Sequence, residues 1–435
     1  MESLAATAIL PLRQDICADF SATDQNAQLR NGSYVVESRP ERSPLPRTAH
    51  HFRIAVVTSV HPDFDARLWK YARLLQSLGH EVHLFCPWDV TPGQLDGIVI
   101  HTFKRATHRL ASVFQIPWRL GRLLCPMLAK IDVVHFHDID ILPWMALLAL
   151  VKPTIYDVHE NYPEEMLVRD WIPNPLRRSL SFCVRWMQVL CAAVIRNVVL
   201  VVDAQHDDLF GPTLRKTIVA NYATEELLDQ VRPDYMKRPT GIIFLGSQYE
   251  NNGSGLLLEI ADRLTHRLPG TKIYVIDRFA TPAYKRQLMA EVARRGLQDT
   301  YTLLPNVAPN AIMDYLNRCT IAVAPNLRVP KQLRALPTKF FEYMAAGLPI
   351  VASDLPQAVA IVGESKAGLL ARPEDPDSFV DTICQLANDR AYAHQLGLNG
   401  QRAFIDRYSW ESQACIIQSF YERVLHGSQF PVHAV

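Results

Sequence analysis

Two segments close together in the chain each end in a histidine and a carboxylate. Residues 132–138 read DVVHFHD and residues 154–160 read TIYDVHE. Both are short apolar runs that predict strands, with His137 and Asp138 ending the first and His159 and Glu160 ending the second. In open parallel sheets, ligands bind outside the carboxyl ends of the strands. One such ending also matches a helix cap, because Asp is routine near a helix start. Two in succession predict an active-site cleft. A third stretch, residues 336–354, reads LPTKFFEYMAAGLPIVASD. It sets one carboxylate, Glu342, and one cation, Lys339, in an apolar and aromatic helical run that stops at Gly347 and Pro349. Near the positive end of a helix this pair suits a phosphate and a ribose. Taken alone, the stretch is equally an amphipathic helix with two solvated charges.

These residues need a frame. Residues 54–58, IAVVT, form a continuous β-branched run typical of a strand buried on both faces. A polar loop, 59–65, leads to a helix over about 66–78, with Leu68, Tyr71, Leu74, Leu75 and Leu78 at helical spacing. A strand over 81–85 completes a strand–helix–strand unit opening a parallel sheet. Further strands are expected at 198–202 and 217–220. The pattern then restarts: strands at 242–245, 272–276, 302–304 and 321–324, helices at 256–268 and 312–318, and closing helices at 377–388, 391–406 and 410–425. The fold class is therefore α/β, with two tandem doubly wound domains and a cleft between them. Residues 1–52 form a linker-like lead-in, 53–222 the first domain, 223–239 a linker and 240–406 the second domain. Residues 407–435, a helix and tail, are expected to pack back towards the first.

Composition narrows the class. The chain has 435 residues, 49% of them hydrophobic, and a formal net charge of +1. That is globular, neither disordered nor basic enough for a nucleic-acid partner. The eight cysteines are scattered without a CxxC pair, which suits core thiols in a reducing compartment. The N-terminal MESLAATAILPLRQD is a poor secretory signal. No apolar stretch reaches the roughly 20 residues of a spanning helix; 186–202 comes nearest and is broken by Arg196 and Asn197. A cytoplasmic protein is expected, soluble or peripheral on the inner face of the plasma membrane. Residues 104–130 and 176–196 are basic, apolar and free of acids. They read either as helices covering the sheet or as a surface for anionic membrane.

The order of these features resembles the GT-B glycosyltransferases, in particular the retaining family 4 and a bacterial polysaccharide-biosynthesis subgroup. The resemblance rests on HPDFDARLWKYARLLQSLGHEV, HFHDIDILPWMALLAL, IYDVHENYPEEM, the 336–353 segment, GLLARPEDPDSFVDTI and Tyr408-Ser409-Trp410, in that order. It covers roughly residues 53–425 and implies two Rossmann-like domains. The second would hold a nucleotide-diphosphate sugar, UDP- or GDP-linked, and the first a saccharide or lipid-linked saccharide acceptor. By resemblance Glu342 holds the ribose, while Lys339 and the amides near Gly246 serve the diphosphate. His159, Glu160 and Asp138 line the transfer side, His159 being the residue expected to touch the donor sugar. Asp65, Arg67 and His137 lie on the acceptor side. No cofactor and no metal is expected, since helix ends and basic side chains can hold the diphosphate.

Two positions depart from the family pattern. Arg334 stands where a first glutamate, eight positions before Glu342, is usual. Tyr249-Glu250-Asn251-Asn252-Gly253 stands where a cation and glycine are usual, leaving Arg278, Arg328, Lys331 and Arg334 as the nearby cations. Two other readings share the architecture: a sugar-nucleotide epimerase, and a non-catalytic partner subunit.

Overall fold

The computed structural model describes residues 51–59, 66–88, 92–104, 109–158, 161–168, 172–201, 209–211, 213–232, 234–305 and 311–426, without the side chains of 109–113 and 168. Asp65, His159, Glu160 and the lead-in up to residue 50 lie outside the described residues.

Uninterrupted β-branched runs have no polar face to give to water, so they need cover on both sides. They form two sheets. The first has eight strands: β1 (Arg53–Val57), β2 (Glu81–Cys86), β3 (Gly93–Leu95), β4 (Ile98–Thr102), β5 (Val133–Phe136), β6 (Thr154–Val158), β7 (Asn197–Leu200) and β8 (Arg215–Ile218). Their order is β3-β4-β2-β1-β5-β6-β7-β8, parallel except for the antiparallel β3–β4 pair. The short β3 and β4 lie outside the sequence expectation; β3 is wholly exposed, so it carries no burial pattern to read.

Crossover handedness sorts the helices. The chain moves one way along the sheet from β1 to β2 and the other way from β4 through β7. Right-handed connections therefore put α1 (Ala66–Ser77) on one face and α2 (Arg109–Leu124), α3 (Leu142–Leu148) and α5 (Asn174–Ile195) on the other. The cores agree. Leu68, Tyr71 and Leu75 of α1 belong to one buried cluster, while Ile116, Leu120, Met145, Ala192 and Ile195 belong to the opposite one. The short α4 (Tyr162–Val168) packs against α5. One expectation is corrected here. Helix α5, at 22 residues, is long and apolar enough by length and composition to cross a membrane. Its arginines crowd towards its first half, and the break expected at Arg196 is the helix end itself, in the left-handed conformation.

The second sheet is all parallel and six-stranded: β9 (Gly241–Phe244), β10 (Lys272–Ile276), β11 (Tyr301–Leu304), β12 (Ile321–Ala324), β13 (Ile350–Ser353) and β14 (Gly368–Ala371), in the order β11-β10-β9-β12-β13-β14. Around it lie α6 (Ser254–Arg267), α7 (Pro282–Arg294), α8 (Ile312–Leu316), α9 (Pro330–Arg334), α10 (Lys339–Ala345), α11 (Pro376–Asn388) and α12 (Arg390–Ala403). Each sheet has one place where the chain reverses direction, between β1 and β5 in the first and between β9 and β12 in the second. Crevices for ligands open outside the strand ends at such points.

The last helix, α13 (Ala414–His426), leaves the second domain and completes the core of the first. The buried Trp410 leads it in, its indole Nε1 donating to the carbonyl of Lys70 at 3.0 Å. The Gln413 amide accepts from the Ala220 N–H at 2.7 Å and donates to its carbonyl at 2.9 Å. The two crossing segments are thus bonded to each other. Trp410→Ala is expected to lower stability by about 3–5 kcal/mol, read from the urea midpoint. A loss within about 0.5 kcal/mol, as at an ordinary surface position, would contradict this anchoring role.

Candidate active site

At the second sheet's reversal, the loops after β9 and β12 face each other. The first is drawn tight. A Cβ on Gly246 would fall 2.1 Å from the Phe244 ring, and one on Gly253 would fall 1.8 Å from the Pro325 carbonyl oxygen. Gly253 also has φ +81°, which glycine adopts without strain. The first contact folds the loop back over the end of β9, and the second presses it against Pro325 at the end of β12.

Helix α10 then brings Lys339 and Glu342 to the crevice, because Phe340, Phe341, Tyr343 and Met344 are buried and fix its roll. The Lys339 ammonium lies 4.5 Å from the Phe244 ring centroid and donates to Asn326 Oδ1 at 3.0 Å. From Asn326 a chain of amides runs across the crevice. Asn326 Nδ2 donates to Gln332 Oε1 at 2.7 Å, Gln332 Nε2 to Asn252 Oδ1 at 2.8 Å, and Asn252 Nδ2 to the Ser247 carbonyl at 2.9 Å. The chain holds both loops and the lysine as one unit. None of these three amide side chains was singled out as a site residue from sequence, because their partners are brought together only by the sheet order.

Half-buried Glu342 feels opposing influences. Desolvation pushes its carboxyl up to about 7, against the positive charges of Lys70, Arg278 and Lys339. Burial pushes Lys339 down to about 7, against the charge of Glu342. Both therefore titrate near neutrality in the unliganded protein. Lys70 belongs to α1 of the first domain, so the field at Glu342 is shared across the cleft. Arg278 is exposed on the loop after β10, which pairs with the Gln248 backbone. Arg334 reaches the other domain, 3.8 Å from Glu164 of α4.

In the first domain, Asp138 Oδ2 accepts from the Thr58 hydroxyl at 2.8 Å and the Ser59 N–H at 2.7 Å. It latches the end of β5 to the end of β1, at the reversal. Its neighbour Asp140 accepts from the Ser59 hydroxyl at 2.6 Å. Burial, then the nearby Asp138 charge, push the Asp140 carboxyl up to about 6. Sequence reading passed over Asp140, since nothing local marks it as desolvated.

Arg67 and His137, expected on the acceptor wall, lie instead behind it. Arg67 is 4% exposed and His137 fully buried. Both Asp157 oxygens accept from Arg67, from Nε at 2.9 Å and Nη2 at 3.1 Å. The Arg67 guanidinium also lies 5.0 Å from the Tyr71 ring and 5.6 Å from the Trp410 ring. His137 Nδ1 is 3.4 Å from Asp157 Oδ2, and His135 Nε2 is 3.6 Å from it. The physical reason is strand alternation: His135 and His137, two apart, share the face that α1 and α13 cover. Burial, above all, pushes His135 down to about 4, so its ring is neutral at pH 7. The ligand atoms of His135, His137 and Asp157 all fall within 4.8 Å of one another. Arg67 already takes both Asp157 oxygens with a buried positive charge, which disfavours a divalent cation there.

Removing one partner of this buried pair should be severe. Asp157→Ala is expected to lower stability by about 3–5 kcal/mol, whereas the double replacement Arg67→Met with Asp157→Leu recovers most of it. Thermal and urea unfolding check this; a single mutant as stable as the parent would contradict it.

Residues 65–198 match the family model described as Glycosyltransferase Family 4, and residues 239–389 match that described as Glycosyl transferases group 1. Among curated proteins the chain is similar to the MMP alpha-(1->4)-mannosyltransferase of Mycolicibacterium hassiacum, at 23% identity over 315 residues, 71% of this chain and 74% of the relative. It is also similar to the phosphatidyl-myo-inositol mannosyltransferase of Mycolicibacterium smegmatis, at 25% over 208 residues, 47% of this chain and 50% of the relative. Among solved structures it is similar to the sucrose-phosphate synthase of Thermosynechococcus elongatus, with TM-score 0.64 and 14% identity over 86% of this chain and 100% of the other. Anabaena HepE in complex with UDP and glucose gives TM-score 0.63 and 14% identity over 86% of this chain and 100% of the other. With one sheet for each model, the ligand crevices at both reversals and these shared shapes, the chain is a glycosyltransferase enzyme of the GT-B fold and belongs to the group 1, family 4 glycosyltransferases.

Proposed function

We propose that this enzyme moves a sugar from a UDP- or GDP-linked donor to a saccharide or lipid-linked saccharide acceptor, with retention of configuration. The setting we propose is exopolysaccharide or cell-surface glycan assembly, in the cytoplasm, on the inner side of the plasma membrane. The observation that carries the reading is the Glu342–Lys339 pair at the second sheet's reversal. A carboxylate there accepts from ribose hydroxyls, and an adjacent ammonium and the Arg278 guanidinium face the diphosphate. As the sugar bond breaks, negative charge grows on the leaving diphosphate, and fixed cations in a poorly solvated crevice stabilise it. In this reading His159, Glu160 and Asp138 border the transferred sugar and acceptor, with Asp65 on the first loop. Arg67 and His137 act from behind by holding β5 and β6 in place.

Support comes from the neighbours' own ligands. HepE structures contain UDP and UDP-glucose, and a structural neighbour from Burkholderia xenovorans is a UDP-forming synthase. The amylovoran biosynthesis glycosyltransferase AmsK of Erwinia amylovora, 24% identical over 159 residues, favours a polysaccharide setting.

The site pKa values give a signed prediction. Below about 7 Glu342 takes up a proton and loses its ribose-accepting charge; above about 7 Lys339 gives one up and loses its attraction for phosphate. Affinity for UDP or GDP, measured by calorimetry, should therefore peak near neutrality. Glu342→Gln should flatten the acid limb and Lys339→Arg the alkaline limb. A profile unchanged by both substitutions would contradict the assignment. Glu342→Ala should also cut transfer from the preferred donor at least about tenfold, about 1.4 kcal/mol in the transition state.

A further inference from the structure

In the second sheet β9 and β12 pair only through Ile242 with Ile321 and Ile243 with Ala322. Each then continues with its outer neighbour alone. Phe244 runs beside Val275 of β10, and Val323 and Ala324 run beside Val351 and Ala352 of β13. Were the β9–β12 register to continue, its next bond would join the Leu245 N–H to the Val323 carbonyl. The Tyr343 hydroxyl stands between these two groups. It accepts from the Leu245 N–H at 2.9 Å and donates to the Val323 carbonyl at 3.4 Å. A side-chain oxygen thus takes the place of a ladder bond and sets the strands further apart than a direct bond allows. Tyr343 is fully buried, so leaving either backbone group unbonded there is costly.

The same side chain is a handle on α10. Lys339, Glu342 and Tyr343 are spaced i, i+3 and i+4, so they share one face of the helix. The opposite side is held by Phe341, whose ring centroid lies 4.5 Å from that of Tyr222 and 5.6 Å from that of Tyr408. Between these attachments the helix cannot roll without breaking the hydroxyl bonds or parting the rings. Phe244, the last residue of β9, completes the seat. The loop folds back over its ring at Gly246, and the ring centroid lies 4.5 Å from the Lys339 ammonium. Where the strands part therefore decides where both charged side chains of α10 point.

We propose that Tyr343 is a positioning residue for the nucleotide: its hydroxyl holds β9 and β12 apart where the crevice opens, and through α10 it aims Lys339 and Glu342 into that crevice. This rests on the donor reading above and adds a residue that the reading does not use. An ordinary core tyrosine needs one partner for its hydroxyl, whereas this one spans the two strands that must part. Loss of the oxygen frees α10 to turn and admits water to both charged groups. Glu342, which burial pushes up against the charges of Lys70, Arg278 and Lys339, then falls back towards the ordinary carboxyl range. Lys339, which burial pushes down, rises towards the ordinary amine range. The acid limb of nucleotide affinity moves to lower pH and the alkaline limb to higher pH.

Calorimetry of UDP and GDP binding to the full-length protein across pH tests it. Tyr343→Phe keeps the ring and removes the oxygen. Tyr235→Phe is the control: its hydroxyl is also buried and donates to the Thr320 carbonyl at 2.7 Å, at the other end of β12. Both substitutions should lower the urea midpoint. Only Tyr343→Phe should weaken nucleotide binding, by at least about tenfold at the optimum, and broaden the pH profile. Unchanged affinity and profile in Tyr343→Phe, or an equal loss in Tyr235→Phe, would overturn the proposal. If Tyr343→Phe does not fold, hydrogen exchange of the wild type decides. Slow exchange of the Leu245 amide without nucleotide is expected, and exchange as fast as an exposed amide would overturn it. A wild type that binds neither nucleotide overturns the donor reading and this proposal with it. A wild type that binds, matched by Tyr343→Phe, overturns this proposal alone.

Discussion

The first domain is built around one buried charge. The Arg67 guanidinium, gripped by both oxygens of Asp157, has no route back to water. Everything nearby is arranged to make that tolerable. Tyr71 and Trp410 offer ring faces, and His135 and His137 stack behind the carboxylate with their centroids 4.8 Å apart. Tyr421 closes the group with a hydrogen bond to His135. A charge pair of this kind adds little net stability compared with a well-packed apolar replacement, yet it tolerates few other arrangements. It demands that α1, β5, β6 and the returning α13 meet at one point. That demand makes the C-terminal helix part of the first domain, and it sets the strand ends that carry Asp138 in register with β1.

The second domain solves a different problem. Its crevice must keep a lysine and a glutamate poorly hydrated without neutralising either completely. The amide chain from Asn326 to Ser247 anchors the lysine, and Glu342 receives its positive field from Lys70 and Arg278 as well as from Lys339. Lys70 is itself tied to the crossing segment, donating to Asn221 Oδ1 at 2.6 Å and to the Tyr222 carbonyl at 2.7 Å. The segment that joins the two domains therefore also positions the cation that acts across the cleft.

Glu342 and Lys339 were visible in the sequence as two charges in an apolar helical run, but that stretch alone read equally as an amphipathic helix, and only the sheet order sets the pair at a crevice. The end of β5 was legible because an apolar run stops at His137-Asp138, but His135 and Asp157 lie buried within β5 and β6, where no local pattern marks them, and His159 and Glu160 lie outside the described residues. Arg67 was misplaced for a physical reason. Its partner Asp157 is ninety residues away and its cover, Trp410, lies much further on, so nothing local distinguishes a buried arginine from a loop arginine. Asn252, Asn326 and Gln332 are ordinary polar residues until sheet order sets their loops together. The exposed side of α5 was visible as composition, but which residues point outward depended on Gln188, Ala192 and Ile195 taking the inner face.

Hydrogen exchange with and without bound UDP or GDP tests most directly whether the crevice of the second sheet is the nucleotide site. If it is, slowed exchange will concentrate in residues 246–253 and 326–345, with the first sheet's outer helices unaffected. Protection confined to the first domain, or none at saturating nucleotide, would contradict it.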